Sequence, residues 1–190
     1  MNNAFETALA FTLAQEGGYA DNPRDPGGRT NHGISDRRDG ALDGQADLDG
    51  DGRGDVPIRQ LTAVQAGQVY RRDYWDALDL DSLPPSIATA VFDAAVNCGP
   101  RRAVIQLQAA INSLGAEPAL APDGALGPRT RAAARRLEAL SLTEALAANA
   151  LLERLEHYSG LCERDPERRP FLRGWLRRVL ALRQVLRGTR

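Results

Sequence analysis

Apolar residues recur every three or four positions through most of the chain, and this spacing predicts a mainly α-helical protein. Phe5, Leu9 and Leu13 form the apolar stripe of the first helix. A pair of glycines follows Glu16 and should end that helix, because glycine favours the backbone conformation that closes helix C-termini. Residues 17–58 are instead rich in Gly, Asp, Asn and Pro, so we expect turns there and a short β-hairpin near the string RTNHGIS.

Six further helices follow from the same spacing, so the predicted fold class is mainly α with about seven helices and one loop-rich segment after the first helix. The six predicted starts lie at Thr62, at Ser86, just before Val104, near 128, at Ser141 and near 170. Thr62 with Gln65, and Ser141 with Glu144, match the capping box, in which two side chains satisfy backbone groups at a helix start.

The composition is that of an ordinary soluble globular protein, because 43% of the 190 residues are hydrophobic and 26% are charged. All 24 basic residues are arginine. Acidic residues are in excess over residues 1–100 and arginines over residues 101–190. This asymmetry can indicate an anionic partner, although solvated helix faces explain most such charges. Cys98 and Cys162 fall in helical patterns, where we expect buried free thiols.

The amino-terminal stretch MNNAFETALAFTLAQEGG has no charged segment followed by a long apolar run. It does not match a signal peptide, and no later stretch is apolar for long enough to span a bilayer. We therefore expect synthesis in the cytoplasm and no membrane insertion.

Glu16 is the first candidate for chemistry. It follows Leu13 by three residues and Leu9 by seven, which places its carboxyl group on the apolar face of the helix. Burial disfavours the charged form of a carboxyl group, and so does the negative end of the helix dipole. A protonated acid in such a position can donate a proton to the leaving oxygen of a glycoside. The alternative is a glutamate at a helix end that simply turns to solvent.

Asp25 is the second candidate. It begins the string DPGG, in which Pro and Gly suit the central positions of a tight turn that would hold its carboxylate still. A second, ionised carboxylate near Glu16 can position water, stabilise an oxocarbenium-like charge or attack it, and Thr30 could hold the water. A plain turn-forming role for Asp25 is the alternative.

Glu16, Asp25 and Thr30 resemble the Glu, Asp, Thr set of phage-type lysozymes, with Thr30 one residue early. The longer strings EGGYADNPRDPGGRTNHGIS, RRDYWDAL, FDAAVNCGPRRAVIQLQAAIN, DGALGPRT and FLRGWLRRV resemble glycoside hydrolase family 108, the bacterial and phage N-acetylmuramidases. The resemblance covers nearly the whole chain. It implies a lysozyme-like α-helical fold, hydrolysis of the peptidoglycan glycan strand, and Glu16 as the catalytic acid with Asp25 and Thr30 as helpers.

The resemblance also implies an organisation and a setting. We expect a lysozyme-like catalytic lobe at 1–95 and a helical C-terminal lobe at 96–190 that resembles a peptidoglycan-binding region, with both packed as one globular unit. We expect a monomer whose partner is the glycan strand, with no nucleic-acid partner. Because the amino-terminal stretch does not match an export signal, we expect a phage or prophage endolysin, which acts on the cell wall, in the periplasm, after a holin or another export protein releases it. A muramidase that serves secretion is the alternative.

An acidic string, DLDGDGRGD, lies within 36–57, a segment longer and more acidic than we expect for the family. The residues that match the EF-hand ligand order are Asp47, Asp49, Asp51, Arg53 (through its carbonyl) and Asp55. Gly52 falls at the sharp turn of that pattern, but Ile58 replaces the usual bidentate glutamate. We expect a weak, structural Ca²⁺ site, with no cofactor required for catalysis. A solvated acidic loop is the alternative.

Four further residues are candidates for substrate contact. Tyr19, Tyr74 and Trp75 could stack on sugar rings, although aromatic residues at helical spacing more often belong to the core. Asn97 precedes a Gly-Pro helix stop, where its amide could hydrogen-bond an N-acetyl group or merely cap the helix.

Other mechanisms fit the sequence less well. A zinc peptidase needs clustered ligands, and His32 and His157 are far apart in the sequence with no ligand motif beside them. A thiol peptidase could use Cys98, but a helix C-terminus disfavours a thiolate. A lytic transglycosylase, which uses one glutamate and releases anhydro-muramyl ends, is the closer rival. A non-catalytic peptidoglycan-binding protein is the rival from another class.

Overall fold

The computed structural model describes residues 4–21, 28–36 and 43–188. Within these ranges the chain forms seven α-helices, and the predicted mainly α class with about seven helices is confirmed. The helices are α1 Ala4–Gln15, α2 Ala63–Tyr70, α3 Pro85–Cys98, α4 Pro100–Ser113, α5 Pro128–Ala139, α6 Thr143–Arg164 and α7 Arg169–Gly188. No helix of the described ranges combines the length and apolar character needed to cross a membrane.

Two short β-hairpins lie among the described residues of the segment after α1. β1 (Thr30–Asn31) pairs antiparallel with β2 (Ile34–Ser35), and β3 (Gln45–Ala46) pairs antiparallel with β4 (Val56–Pro57). His32 and Gly33 form the two-residue loop between β1 and β2, with φ of 50° and 76°. Positive φ at both loop positions is typical of the type I′ turn, whose twist matches that of the flanking strands. The predicted hairpin at RTNHGIS is therefore confirmed.

One of the two predicted capping boxes forms. Thr62 and Gln65 bond reciprocally at the start of α2, as expected. The box at Ser141 is wrong, because α6 begins at Thr143 and Ser141 has φ of 60°. The N–H of Ser141 donates to the Glu138 carbonyl, and the next N–H donates five residues back, both at 2.8 Å. This is the Schellman closure of α5, and its left-handed residue cannot have the extended backbone that an N-cap requires.

The described residues form two compact units. Residues 9–77 make the smaller unit, residues 4–8 and 78–188 make the larger one, and the division falls within α1. The predicted lobes at 1–95 and 96–190 stay a prediction. In the larger unit α3 is buried along nearly its whole length and packs on α4, α6 and α7.

A polar network lies at the centre of the larger unit. Asp93 on α3 is wholly buried and accepts hydrogen bonds from Arg154 on α6 at 2.6 Å and from Arg178 on α7 at 2.7 Å. Arg154 also donates to the Tyr158 hydroxyl at 2.6 Å. Burial acts to raise the pKa of the Asp93 carboxyl, but the two guanidinium groups outweigh it and hold that pKa below its usual value. The ionised carboxylate thus joins three helices.

Both cysteines are free thiols, as predicted. Cys162 is buried, and Cys98 is half-buried at the end of α3.

Candidate active site

Glu16 lies directly after α1 and continues its last turn, because its N–H donates to the Thr12 carbonyl at 2.9 Å. The side chain is half-buried. It rests against the β1–β2 turn: a Cβ placed on Gly33 would lie 2.8 Å from Glu16 Cγ and 3.0 Å from its carboxyl carbon. The structure therefore places the glutamate against the hairpin, as its position on the apolar face predicts, and not out in solvent.

Gly33 has no side chain at the point where Glu16 and Tyr70 approach the hairpin. The Tyr70 hydroxyl would overlap a Cβ at this position, and it donates to the His32 carbonyl at 2.9 Å. Tyr70 is only 1% exposed, so its side chain packs in the core of the smaller unit, and this packing fixes the position of its hydroxyl. Sequence reasoning missed Gly33 and Tyr70. The only local signal was a glycine in a two-residue hairpin loop, which explains the positive φ but not the close approach.

Asn31 fixes the hairpin from a second side. Its buried side-chain amide donates to the carbonyls of Ile58 and Leu61, at 3.0 and 3.2 Å. The first carbonyl belongs to a short 3-10 turn at Ile58–Gln60, and the second belongs to the residue that follows that turn. Because a buried amide is costly to leave unpaired, these bonds hold the β1–β2 hairpin on the segment before α2. Sequence reasoning missed this role as well.

Thr30 lies at the start of β1 and is half-buried. Its backbone pairs with Ala20 through two hydrogen bonds of 2.8 and 2.9 Å. That pairing fixes Thr30 in the same hairpin whose turn contacts Glu16. Its role with water stays a prediction. Asp25 lies outside the described residues, and its role stays a prediction too.

Tyr19 and Tyr74 keep exposed surface in the smaller unit. Tyr19 is 39% exposed, and the Arg59 guanidinium lies over its ring, 5.6 Å from the centroid. Tyr74 is half-buried on a π-helical turn at Arg71–Asp76, with its ring centroid 5.8 Å from that of Tyr70. Their predicted contacts with sugar rings stay predictions.

The stacking role predicted for Trp75 is not supported. Its side chain is 0% exposed, so the ring packs in the core and offers no face to a sugar. The physical reason is tertiary packing: Trp75, on the π-helical turn, is among the largest fully buried side chains of the described residues, as a large apolar ring is when the core has room for it.

Asn97 lies near the end of α3 in the larger unit, where its side-chain oxygen accepts a hydrogen bond of 2.5 Å from Tyr158. Burial raises the pKa of Tyr158, so the phenol stays a donor at neutral pH. This bond gives Asn97 a structural role. The N-acetyl contact predicted for its amide stays a prediction.

The acidic loop brings three carboxylates together. One oxygen from each of Asp47, Asp49 and Asp55 lies within 4.8 Å of the others, a spacing compatible with Ca²⁺–oxygen distances of about 2.3–2.6 Å. Asp51 is outside this group and accepts instead from the N–H of Arg53 at 2.8 Å. The structure therefore groups three carboxylates, where the sequence pattern suggested four.

A guanidinium already faces this loop. Arg72 lies 3.6 Å from an Asp47 oxygen. Partial burial acts to raise the pKa of the Asp47 carboxyl, but hydrogen bonds from the N–H groups of Gly50 and Gly52, together with Arg72, hold that pKa below its usual value. Arg72 would weaken cation binding here, and the Ca²⁺ site stays a prediction.

Two sequence models match the chain. That of glycosyl hydrolase 108 matches residues 9–99, and one described as a predicted peptidoglycan domain matches residues 102–180. Residues 9–99 are therefore similar to the glycosyl hydrolase 108 family. The resemblance predicted from the sequence is thereby confirmed, and the match includes Glu16, Gly33 and Tyr70. Together, the glycosyl hydrolase 108 region and the peptidoglycan domain support a peptidoglycan hydrolase.

The fold also matches a solved structure, that of SagA from Brucella abortus. The TM-score is 0.72 at 29% sequence identity, and the match covers 97% of this chain and 94% of that chain. It extends over both the glycosyl hydrolase 108 region and the peptidoglycan domain, and the lysozyme-like fold is confirmed. A search of curated proteins gives no match.

Proposed function

We propose that this protein is an N-acetylmuramidase. It hydrolyses the β-1,4 bond between N-acetylmuramic acid and N-acetylglucosamine, with Glu16 as the general acid. The observation that supports the proposal is the position of Glu16, which is half-buried after α1 with its carboxyl carbon against Gly33. A carboxyl group fixed between a helix end and a rigid turn is suited to proton donation, because catalytic groups must be held in place.

The proposed reaction breaks the bond between C1 of N-acetylmuramic acid and the bridging oxygen. Glu16 donates its proton to that oxygen, which leaves as the 4-hydroxyl of N-acetylglucosamine. Water adds at C1 and gives a reducing N-acetylmuramic end, and its released proton restores the acid. Asp25 stabilises the developing positive charge or positions the water, as second carboxylates do in glycosidases. Thr30 holds the water, and Tyr19 and Tyr74 contact the sugars.

The deciding experiment is mass spectrometry of purified peptidoglycan digested by the wild-type protein and by Glu16→Gln. We expect reducing N-acetylmuramic ends from the wild type and a loss of activity of about 10²-fold or more in the variant, the range of general acid catalysis. Glu6→Gln is the matched control, because Glu6 is exposed on the same helix, and it should keep wild-type activity.

Other products would contradict this proposal in recognisable ways. Anhydro-muramyl ends would establish a lytic transglycosylase, and full activity of Asp25→Asn would favour the same conclusion. Cleaved peptides on intact glycan would exclude Glu16 as the acid. If neither the wild type nor any variant releases products, and the protein still binds the wall, it is a non-catalytic binding protein.

A further inference from the structure

The larger unit contains a pocket of about 380 Å³. The start of α3 forms one side, the first turns of α6 another, and the end of α7 a third. Its floor is apolar, with Ala147, Leu151 and Leu186 buried. The volume lies within the roughly 300–1,000 Å³ of typical ligand pockets, which is enough for a few small residues of a peptide.

Four charged side chains line the rim of this pocket. Glu138 and Glu144 contribute carboxylates, and Arg183 and Arg187 contribute guanidinium groups, all of them exposed. Within the described residues, no hydrogen bond or ion pair joins these four groups to one another. The rim therefore offers donors for carboxylates and acceptors for an ammonium group around a single apolar floor.

The wall of the pocket is built from small side chains. Thr143 and Ala148 on α6 and Pro84 and Pro85 at the start of α3 line it. Among the described residues, no aromatic side chain lines the pocket, so they offer no flat face on which a sugar ring would pack. Methyl-sized groups fit such a wall better than a pyranose does.

We propose that this pocket binds the stem peptide of peptidoglycan. That peptide contains alanine methyl groups, which complement the apolar floor. It also contains several carboxylates and, in its diamino residue, an ammonium group, which complement the arginines and glutamates of the rim. Its glycan-attached end is the lactyl amide of N-acetylmuramic acid, so peptide binding here would hold the wall polymer by a part the hydrolase does not cut. The inference rests on the proposed function, and it adds a peptide-recognition site to the glycan site.

The test measures binding with the Glu16→Gln protein, so that the polymer stays intact. Two ligands are compared by co-sedimentation: purified sacculi, and glycan strands from which an amidase has removed the peptides. A soluble stem tripeptide is titrated separately by calorimetry. We expect binding to sacculi and to the tripeptide, with Arg183→Glu/Arg187→Glu weakening both by about tenfold or more, the effect of losing a charge-assisted hydrogen bond.

A second variant blocks the pocket without changing its charge. Ala148→Trp should fill the pocket and weaken tripeptide binding to the same extent, while Leu152→Trp, at an exposed position of the same helix, should not. Arg173→Glu/Arg177→Glu is the control for the charge change, because these exposed arginines of α7 lie outside the pocket. Circular dichroism melts confirm that each variant is folded.

Two outcomes would overturn the inference: tripeptide binding that is unchanged in both pocket variants, or equal binding of the protein to sacculi and to peptide-free strands. Either result leaves the muramidase proposal intact if wild-type protein still releases reducing N-acetylmuramic ends. Conversely, pocket-dependent peptide binding without glycan cleavage would support the peptide site and contradict the muramidase.

Discussion

Gly33 is the residue on which the geometry around Glu16 depends. It combines φ of 76° with a Cβ position that the Tyr70 hydroxyl and the Glu16 side chain already occupy. A left-handed backbone disfavours any residue with a Cβ, and the crowding adds a second, independent penalty. Gly33 was visible in the sequence as a turn glycine. Its contact with Tyr70 could not be predicted, because it joins residues distant in the chain.

Replacing Gly33 with alanine should therefore impair both stability and activity. The added methyl group must displace the Tyr70 hydroxyl or move Glu16, and a displacement of about 1 Å can lower a catalytic rate by roughly 10²-fold. We expect a loss of that order in peptidoglycan hydrolysis, together with a lower melting temperature. Turbidity of a sacculus suspension and circular dichroism report the two effects.

Two further variants identify the cause. Gly174→Ala should not lower the melting temperature, because Gly174 lies inside α7 with open space at its Cβ position, and alanine favours a helix more than glycine does. Tyr70→Phe in the Gly33→Ala background removes the overlapped oxygen, so it should restore part of the melting temperature. Wild-type activity in Gly33→Ala would show that Glu16 does not need this contact.

Among the elements, the helices were the most predictable, since their apolar spacing is a local property of the sequence. The boundary between α5 and α6 was not. Ser141 suits an N-cap, and no local feature of the sequence indicates the left-handed backbone in which the closing bonds of α5 hold it. The acidic loop shows the same limit. The spacing of its aspartates predicted ligands in the EF-hand order. The folded loop brings only three of those four carboxylates together.

The acidic loop should bind Ca²⁺ weakly. With three carboxylates, no bidentate glutamate and Arg72 nearby, we expect a dissociation constant on the order of 10⁻⁴–10⁻³ M. At 10 mM Ca²⁺ this affinity would raise the free energy of unfolding by about 1.4–2.7 kcal/mol. Thermal melts with and without Ca²⁺ measure the effect.

Loss of one ligand should abolish most of that Ca²⁺ effect. Asp49→Asn removes a carboxylate of the group, while Glu156→Gln removes an equal charge from an exposed position of α6 and should leave the effect unchanged. A melting temperature independent of Ca²⁺ in the wild type would identify a solvated acidic loop.

At the scale of the whole molecule, stability depends on polar partners that the sequence could not pair. Asp93 and Arg178 are separated by 85 positions, and Arg154 and Arg178 each look like ordinary arginines of amphipathic helices. The fold class, the family and the position of Glu16 were predictable, because periodicity and contiguous motifs carry them. Three features could not be predicted, because they depend on contacts between residues distant in the chain. They are the Asp93 network, the hydrogen bonds of Asn31 and the burial of Trp75.

Replacing Asp93 with asparagine should destabilise the protein by about 3–5 kcal/mol at neutral pH, because two buried guanidinium groups lose their counter-charge. The pKa of Asp93 is lower in the folded state, so its contribution is present above the unfolded pKa of about 3.9 and is lost as pH falls through the folded pKa. The difference between wild type and variant should therefore shrink below about pH 4. Urea unfolding at pH 7 and at pH 3 measures it.

An exposed ion pair provides the comparison for Asp93→Asn. Asp76 pairs with Arg71 at 2.7 Å at the surface, and Asp76→Asn should cost no more than about 1 kcal/mol. Equal effects of the two substitutions would mean that the buried network does not stabilise the fold.

The hydrogen bonds from Asn31 end on main-chain carbonyls, and this choice of acceptor has an evolutionary consequence. Every residue type supplies a carbonyl, so the exposed positions Arg59 and Gln60 can diverge without disturbing the anchor. Asn31 has no such freedom, since aspartate offers no N–H and a longer amide would not keep the same reach. Related chains should therefore keep an asparagine at this position of the hairpin, while the residues at the positions of Arg59 and Gln60 vary.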